Sequence, residues 1–455
     1  MKNNQFSRRS FLQLTAATGG VLGLSAMGIR LAEATVPQFG GTIPGFGPLV
    51  PTAAQNTGEV LIALPEGFKY NVLIRRGEIM SDGRPCPSNI DGMAAFKYND
   101  KVRLVACNER SAGTPIGSLP YDIKAGGGTT TMTFDPKTRL LTESFVSSSG
   151  TMRNCAGGLT PWNTFLSCEE SNLGPSNTSG SGKLEKQHGY VFEIPADASG
   201  EIAAEPLINM GLHYPEAAVV DPKTSIVYIT SDRGPCGTFR FIPDEFGNLA
   251  GTGRVQMLAI KDMPAYDTRS GQKTKVKLPV TWVDIDDPSN EIEYAKDALY
   301  TYKQGLAKGG ATFSRGEGAW YSRNSVFFAC SNGGDARLGQ IFELHLKNND
   351  VQELELIFES TQEEALGAPD NICVSPSGNN LIICEDGSGK EYLHLLRRSG
   401  NQIYRFAENI FPGQEGSEWA GACFSPDGKT LFANLQGGGI CYAIWADNNH
   451  WASIT

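Results

Sequence analysis

An all-β fold is what this sequence predicts, and three observations predict it. The chain is rich in residues that turn it, with 53 Gly and 25 Pro in 455 residues, which favours short strands and many turns over long helices. A segment with the pattern of a β-hairpin recurs six times. Its copies follow one another at roughly 50–60 residues, the spacing of one propeller blade per repeat. The reading is a six-bladed β-propeller with inserted loops, behind an N-terminal signal segment.

The copies are weak in identity and clear in pattern. In chain order they begin at Asp91 (DGMAAFKYNDKVRLVACNER), Asn154 (NCAGGLTPWNTFLSCEES), Pro215 (PEAAVVDPKTSIVYITSDR), Gly316 (GEGAWYSRNSVFFACSNGG), Pro369 (PDNICVSPSGNNLIICEDG) and Trp419 (WAGACFSPDGKTLFANLQGG). Each joins a small-apolar run, a turn such as Asp221-Pro222-Lys223-Thr224, and a β-branched or aromatic run, the signature of a hairpin. One longer interval, about residues 233–314, carries polar insertions such as AYDTRSGQKTK.

The hairpin geometry points to a site. In an antiparallel hairpin the start of the first strand and the end of the second lie at the same rim, and radial stacking directs these groups to one mouth of a central channel. The start positions hold Asp91, Glu216, Glu317 and Asp370-Asn371; the end positions hold Asn108-Glu109, Cys168-Glu169-Glu170, Ser231-Asp232, Ser331-Asn332, Glu385-Asp386 and Asn434. A single acidic residue at a strand end is more often a solvated turn residue. The recurrence of acids at one structural position is harder to dismiss. So many carboxylates in a partly dry space repel one another, and bound Ca²⁺ or a more highly charged metal relieves the repulsion.

Cys168-Glu169-Glu170 is the most informative group. A thiolate suits a transition metal, and carboxylates beside it suit hard cations such as Ca²⁺, so a mixed-metal centre and hydrolysis are expected. Strand alternation sends Glu169 and Glu170 to opposite sides; Glu169, next to the thiol, is the expected ligand, with a bend after the strand able to reverse the order. Arg315, in Arg315-Gly316-Glu317-Gly318, either holds two phosphate oxygens through its planar fork or neutralises the neighbouring carboxylate. No GxSxG elbow, GxxxxGK[ST] phosphate loop or zinc-type histidine pair occurs, which argues against serine hydrolases and P-loop enzymes.

The N-terminus reads as an export signal over residues 1–34, leaving one propeller domain over residues 35–455. Ser7-Arg8-Arg9-Ser10-Phe11-Leu12 carries a twin arginine, a weakly apolar stretch runs to Ile29, and Ala32-Glu33-Ala34 fits a cleavage site. The stretch is too short and too rich in Gly, Ser and Thr for a stable membrane span. Beyond it remain 35 basic and 48 acidic residues, a net charge of −13. With no basic run, nucleic acid is not an expected partner. Ten Cys in an exported chain invite disulfides. Most of them flank apolar runs and read as buried hydrophobes. Cys86 and Cys236, in Pro/Gly-rich loops, are the better disulfide candidates.

The chain resembles the PhoX family of twin-arginine-exported alkaline phosphatases. The resemblance is carried by SRRSFL, NCAGGLTPW…CEE, HYPEAAVVDP, WVDIDDP, SRGEG, the segment at 368–387 and GACFSPDGKTLFANLQ, so it covers nearly the whole chain. It implies a six-bladed propeller that hydrolyses phosphomonoesters at a centre of two ferric ions (Fe³⁺) and three Ca²⁺, with a metal-held oxide or hydroxide attacking phosphorus. It further implies that Cys168 bridges the irons, that Glu169, Glu216 and Glu317 hold metal, that Arg315 clamps the phosphate, and that Asp370 with Asn371 binds Ca²⁺. Asp232 is a weaker transfer. Export by the twin-arginine machinery to the periplasm or beyond also follows from the resemblance.

Two other readings remain open at this point. One is a Ca²⁺-dependent propeller hydrolase of lactonase type, which needs the carboxylates and Asn but neither Cys168 nor Arg315. The other is a Ca²⁺-stabilised propeller that serves as a binding platform without catalysis.

Overall fold

Each of the six repeated segments folds as an antiparallel hairpin. The pairs are Ile90–Tyr98 with Lys101–Asn108, Gly158–Leu159 with Thr164–Cys168, Pro215–Val220 with Val227–Ser231, Gly316–Ser322 with Ser325–Cys330, Pro369–Val374 with Asn380–Glu385, and Trp419–Phe424 with Thr430–Leu435. The computed structural model describes residues 38–41, 47–177, 184–347, 351–400 and 402–446. The expected signal over residues 1–34 lies outside the described residues. No helix among those described is long and apolar enough to cross a membrane.

The leading strands of the hairpins touch in chain order around a ring, and Trp419–Phe424 closes it against Ile90–Tyr98. Further antiparallel strands extend most hairpins outward, giving the radial sheets of an all-β propeller. The last sheet is completed by a strand that precedes the first hairpin in the chain. The strand Phe68–Arg75 pairs with Ile440–Ala446 and becomes the outer strand of the last sheet. Its Tyr70 is fully buried, stacks edge-on with Tyr442 at 5.6 Å, and donates its hydroxyl to the Glu59 carbonyl at 2.8 Å.

The sheets are not one per hairpin. Lys277–Asp284 pairs with Gly253–Ile260 on one side and Gln352–Glu359 on the other, joining the third and fourth hairpins' strands into one nine-stranded sheet. This strand and two short helices, Glu291–Lys296 and Tyr300–Ala307, account for much of the long interval. Asn290 caps the first helix by accepting from the Glu293 amide at 3.0 Å, one of the orphan donors at a helix start.

Apolar side chains pack between neighbouring sheets. Leu166 and Cys168, two apart on one strand, share a buried cluster with Val191, Phe239 and Phe241, as period-2 alternation requires. All ten cysteines are buried and unpaired. The expectation of disulfides at Cys86 and Cys236 is therefore corrected: both thiols sit inside the packing, and Cys86 donates to the Pro87 carbonyl at 3.7 Å.

Candidate metal centre

One irregularity, repeated around the ring, builds the site. In the first hairpin Ile90 pairs with Asn108 and Met93 with Ala106, so three steps on one strand face two on the other. The same offset separates Pro215 from Ala218, Gly316 from Ala319, Pro369 from Ile372, and Ala420 from Cys423. The second hairpin carries it too, between the Asn154–Glu169 bridge and the Gly158–Leu166 pair. A β-bulge leaves one residue out of the ladder and re-aims its side chain. The residues so released are Asp91, Cys155, Glu216, Glu317 and Asp370, with Gly421 in the sixth hairpin.

The partner strand contributes the residue just past its last paired position. These are Glu109, Glu170, Asp232, Ser331 and Asp386, and all five line the mouth. The last paired residues themselves (Asn108, Glu169, Ser231, Cys330 and Glu385) face away from it. Before each of five leading segments the backbone turns left-handed, at Asn89, Arg153, Tyr214, Arg315 and Ala368, with φ between 45° and 59°. A non-glycine residue there costs roughly 1–2 kcal/mol, so the rim stores strain at equivalent points. Glycines let the ring close: a Cβ on Gly92 would lie 2.4 Å from the Ala156 Cα, and one on Gly318 2.6 Å from the Asn371 Cα.

The mouth is a cavity of about 140 Å³ lined by nine carboxylates (Asp91, Glu109, Glu170, Glu216, Asp232, Glu317, Asp370, Asp386 and Glu418) against two arginines, Arg153 and Arg315. A larger cavity of about 230 Å³ lies between the 266–278 segment and Phe342, Leu354 and Leu356; among the described residues that line it there is no carboxylate and only Lys273 is charged, so the chemistry points to the smaller one.

Arg315 holds Asp232 through both carboxylate oxygens, Nε at 2.7 Å and Nη2 at 3.0 Å, and its Nη2 lies 3.2 Å from Glu317. Arg153 ties Glu109 at 3.3 Å, Glu170 at 3.2 Å and the Tyr214 hydroxyl at 3.1 Å. Ser331 donates to Glu317 at 2.6 Å, and Gln436 to Asp91 and Glu109 at 3.1 and 2.9 Å.

Two arginines do not balance this charge. Burial first, and neighbouring carboxylates second, push Asp91, Glu170, Glu216 and Glu317 well above the usual carboxylate range. Burial and Asp386 raise Asp370 to about 7, and burial with Asp370 and Asp386 raises Glu418 to about 12. Asp232 goes the other way: burial opposes its charge, but the Arg315 hydrogen bond outweighs it and lowers its pKa. Asp91 Oδ1 and Glu170 Oε1 are buried with no hydrogen-bond partner, a rare state for a carboxylate unless something else binds it.

The donor set fits metal ions. Among the described residues, three groups have ligand atoms within 4.8 Å of one another: Cys155, Glu170 and Glu216; Glu170, Asp232 and Glu317; and Glu216, Glu317 and Asp370. Because they share Glu170, Glu216 and Glu317, they form one continuous set of possible ligand atoms. A thiol with carboxylates suits a transition metal and the all-oxygen groups suit Ca²⁺.

Of the residues expected from sequence, the structure brings Glu216, Glu317, Asp370, Asp232 and Arg315 together. It does not bring Cys168 or Glu169. The Cys168 thiol is fully buried in the core between sheets, because strand alternation turns it away from the channel. The thiol at the mouth is Cys155, at the bulge position that also presents Glu216 and Glu317. Glu169 is the last paired residue of its strand, and the residue beyond it, Glu170, faces the mouth. Asn371 is placed beside Asp370 but is engaged otherwise: its Nδ2 donates to Asp370 at 3.1 Å and its Oδ1 accepts from the Gly421 amide at 2.9 Å, linking the fifth hairpin to the sixth.

Arg153, Glu418 and Gln436 went unrecognised in the sequence. Arg153 had a usable signal, since it stands just before the second repeat as Arg315 stands just before the fourth.

Fold and site together define an all-β propeller with an acidic, metal-type mouth at one end of its ring. The chain belongs to the family described as alkaline phosphatase PhoX, whose model matches residues 45–139 and 126–439, and the family implies a phosphatase. No curated protein is similar in sequence. Among solved structures, the chain is similar to a gluconolactonase from Xanthomonas campestris at 10% identity and TM-score 0.43, over 88% of this chain and 98% of that one. It is also similar to the hydrazine synthase of Kuenenia stuttgartiensis at 11% identity and TM-score 0.40, over 80% and 97%.

Proposed function

We propose that this chain is an exported phosphomonoesterase that releases inorganic phosphate at a centre of iron and calcium. The observation that carries the reading is the set of three interlocking ligand groups beside Arg315. Cys155, Glu170 and Glu216 would hold iron, the soft thiolate favouring the transition metal; Glu216, Glu317 and Asp370, offering oxygen alone, would hold Ca²⁺. Bound ions of this kind supply Lewis acidity and a nucleophile at usable pH.

The chain's own residues do the rest. Nine carboxylates would repel a phosphate ester unless cations reverse the local sign, so substrate binding requires that the metals be loaded first. Asp232 and Glu317 engage Nε and Nη2 of Arg315 and fix the plane of its fork. Among the described residues Nη1 has no protein partner, which leaves it available to a phosphoryl oxygen. Arg153 anchors Glu170 and Glu109 in the same way.

The test is elemental analysis of protein purified through its native export route, with a p-nitrophenyl phosphate assay on the same sample. Stoichiometric iron and calcium with turnover are expected. Calcium alone without turnover rejects the reading.

A further inference from the structure

Glu169 misses the mouth, yet it is fully buried and fully engaged. One oxygen accepts from the Met152 amide at 2.8 Å and meets His188 Nδ1 at 2.7 Å; the other accepts from the amides of Gly189 and Tyr190 at 2.9 and 3.3 Å. His188 Nε2 then faces Asp122 at 3.4 Å, and Asp122 accepts from the amides of Lys124, Glu185 and Lys186 at 2.7, 2.7 and 2.9 Å. The side chains of Glu169, His188 and Asp122 are all 0% exposed. Burial works against charge on His188, but the two carboxylates outweigh it and raise its pKa to about 9. The group is a carboxylate–imidazolium–carboxylate chain closed by backbone amides.

What this chain grips is the frame of the mouth. Met152, whose amide Glu169 holds, precedes left-handed Arg153, and the Arg153 carbonyl accepts from the Glu170 amide at 3.1 Å. Cys155 donates its amide to the Cys168 carbonyl at 3.2 Å. Glu169 therefore ties the turn bearing Arg153 and Cys155 to the strand end bearing Glu170.

The same device recurs in the fifth hairpin. Glu385, at the equivalent last paired position, accepts from the Gly367 amide at 2.7 Å, the Tyr392 amide at 3.2 Å and His394 at 3.0 Å. Gly367 precedes left-handed Ala368 as Met152 precedes Arg153. Its repetition beside two different rim turns argues for a construction element of the mouth.

We infer that Glu169, His188 and Asp122 form a positioning relay that holds Cys155 and Glu170 in metal-binding geometry, with Arg153 between them, without touching the metal. The inference rests on the metal reading proposed above and assigns roles to His188 and Asp122, which line no part of the mouth. Partners behind metal ligands typically govern affinity by about 10–100-fold.

The test compares wild-type protein with His188→Gln, His188→Ala and Asp122→Asn. Iron and calcium retained per chain are measured across an EDTA series, and near-UV circular dichroism and the unfolding midpoint are measured on the metal-free forms. The relay predicts that the folded variants lose half their metal at an EDTA concentration at least tenfold lower than wild type. His188→Gln, whose amide can still donate to Glu169, should fall between wild type and His188→Ala. Wild-type EDTA midpoints in folded variants overturn the relay and leave the metal reading standing. Failure of all three variants to fold also overturns it, making the group a determinant of folding. A wild-type protein that holds no metal defeats the metal reading itself, and the relay with it.

Discussion

Arg315 binds Asp232 through both carboxylate oxygens, at 2.7 and 3.0 Å, from a backbone held at φ 50°. The arginine closes the fourth hairpin's entry and the aspartate ends the third hairpin, so the contact locks the two hairpins together at the rim and aims the guanidinium at the cavity. A planar fork satisfies both oxygens at once, which a lysine ammonium cannot do.

Arg315→Lys is accordingly expected to weaken phosphate inhibition while leaving metal content unchanged. A charge-assisted hydrogen bond is worth about 1.5–3 kcal/mol, so the inhibition constant should rise roughly 10- to 100-fold. An unaltered constant would reject the phosphate-holding role.

The two cysteines separate by substitution. Cys155→Ser is expected to lose iron and nearly all turnover, because it removes the thiol at the mouth. Cys168→Ser should keep its metal and lose only stability, by about 1–3 kcal/mol for a hydroxyl placed in an apolar cluster. Metal analysis and denaturant titration of the two proteins decide the assignment; iron lost from the Cys168 variant alone would restore the expectation made from sequence.

Gly318 is required by proximity. A methyl there meets the Asn371 backbone at 2.6 Å, and backbone cannot move aside as a flexible side chain can. Gly318→Ala should cost at least about 1–3 kcal/mol and lower metal retention, since Glu317 and Asp370 flank the contact. Wild-type thermal stability would show that the ring is looser than this geometry.

The metal-free protein should lose stability as pH rises from 7 to 9. Asp370, at about 7, and the more strongly raised Glu418, at about 12, bind protons in the folded state that the unfolded chain has already released, so folding is favoured at the lower pH and the advantage declines through the folded pKa values. His188, raised to about 9, acts in the same direction: its contribution is complete below its unfolded value and lost as pH climbs through 9. His213, buried and lowered to about 4, titrates below this window. The unfolding midpoint should drop by several degrees over that range without metal and by less with it. A flat metal-free profile would show that the carboxylates are already ionised and paired.

The strand pattern was legible because alternation and turn chemistry are local. Asp221-Pro222-Lys223-Thr224 marks its hairpin wherever the hairpin lies, and the acids at Glu216, Glu317 and Asp370 announce the rim by recurring at one position. Glu169 and Glu170 were not separable in the same way. Their facing depends on where the ladder stops, and pairing with Asn154 across a loop fixes that point.

By itself, then, the sequence determined the all-β repeat, the convergence of acids on one mouth and the family resemblance, because each is written in residue type and spacing. The tertiary structure alone decided which thiol faces that mouth, which of two adjacent glutamates does, and that His188 stands behind them between two buried carboxylates. Each of these turns on the extra residue of a β-bulge or on a contact such as His188 with Asp122, 66 positions apart, and a side chain's facing is set by the partner strand it pairs with rather than by its neighbours in the chain.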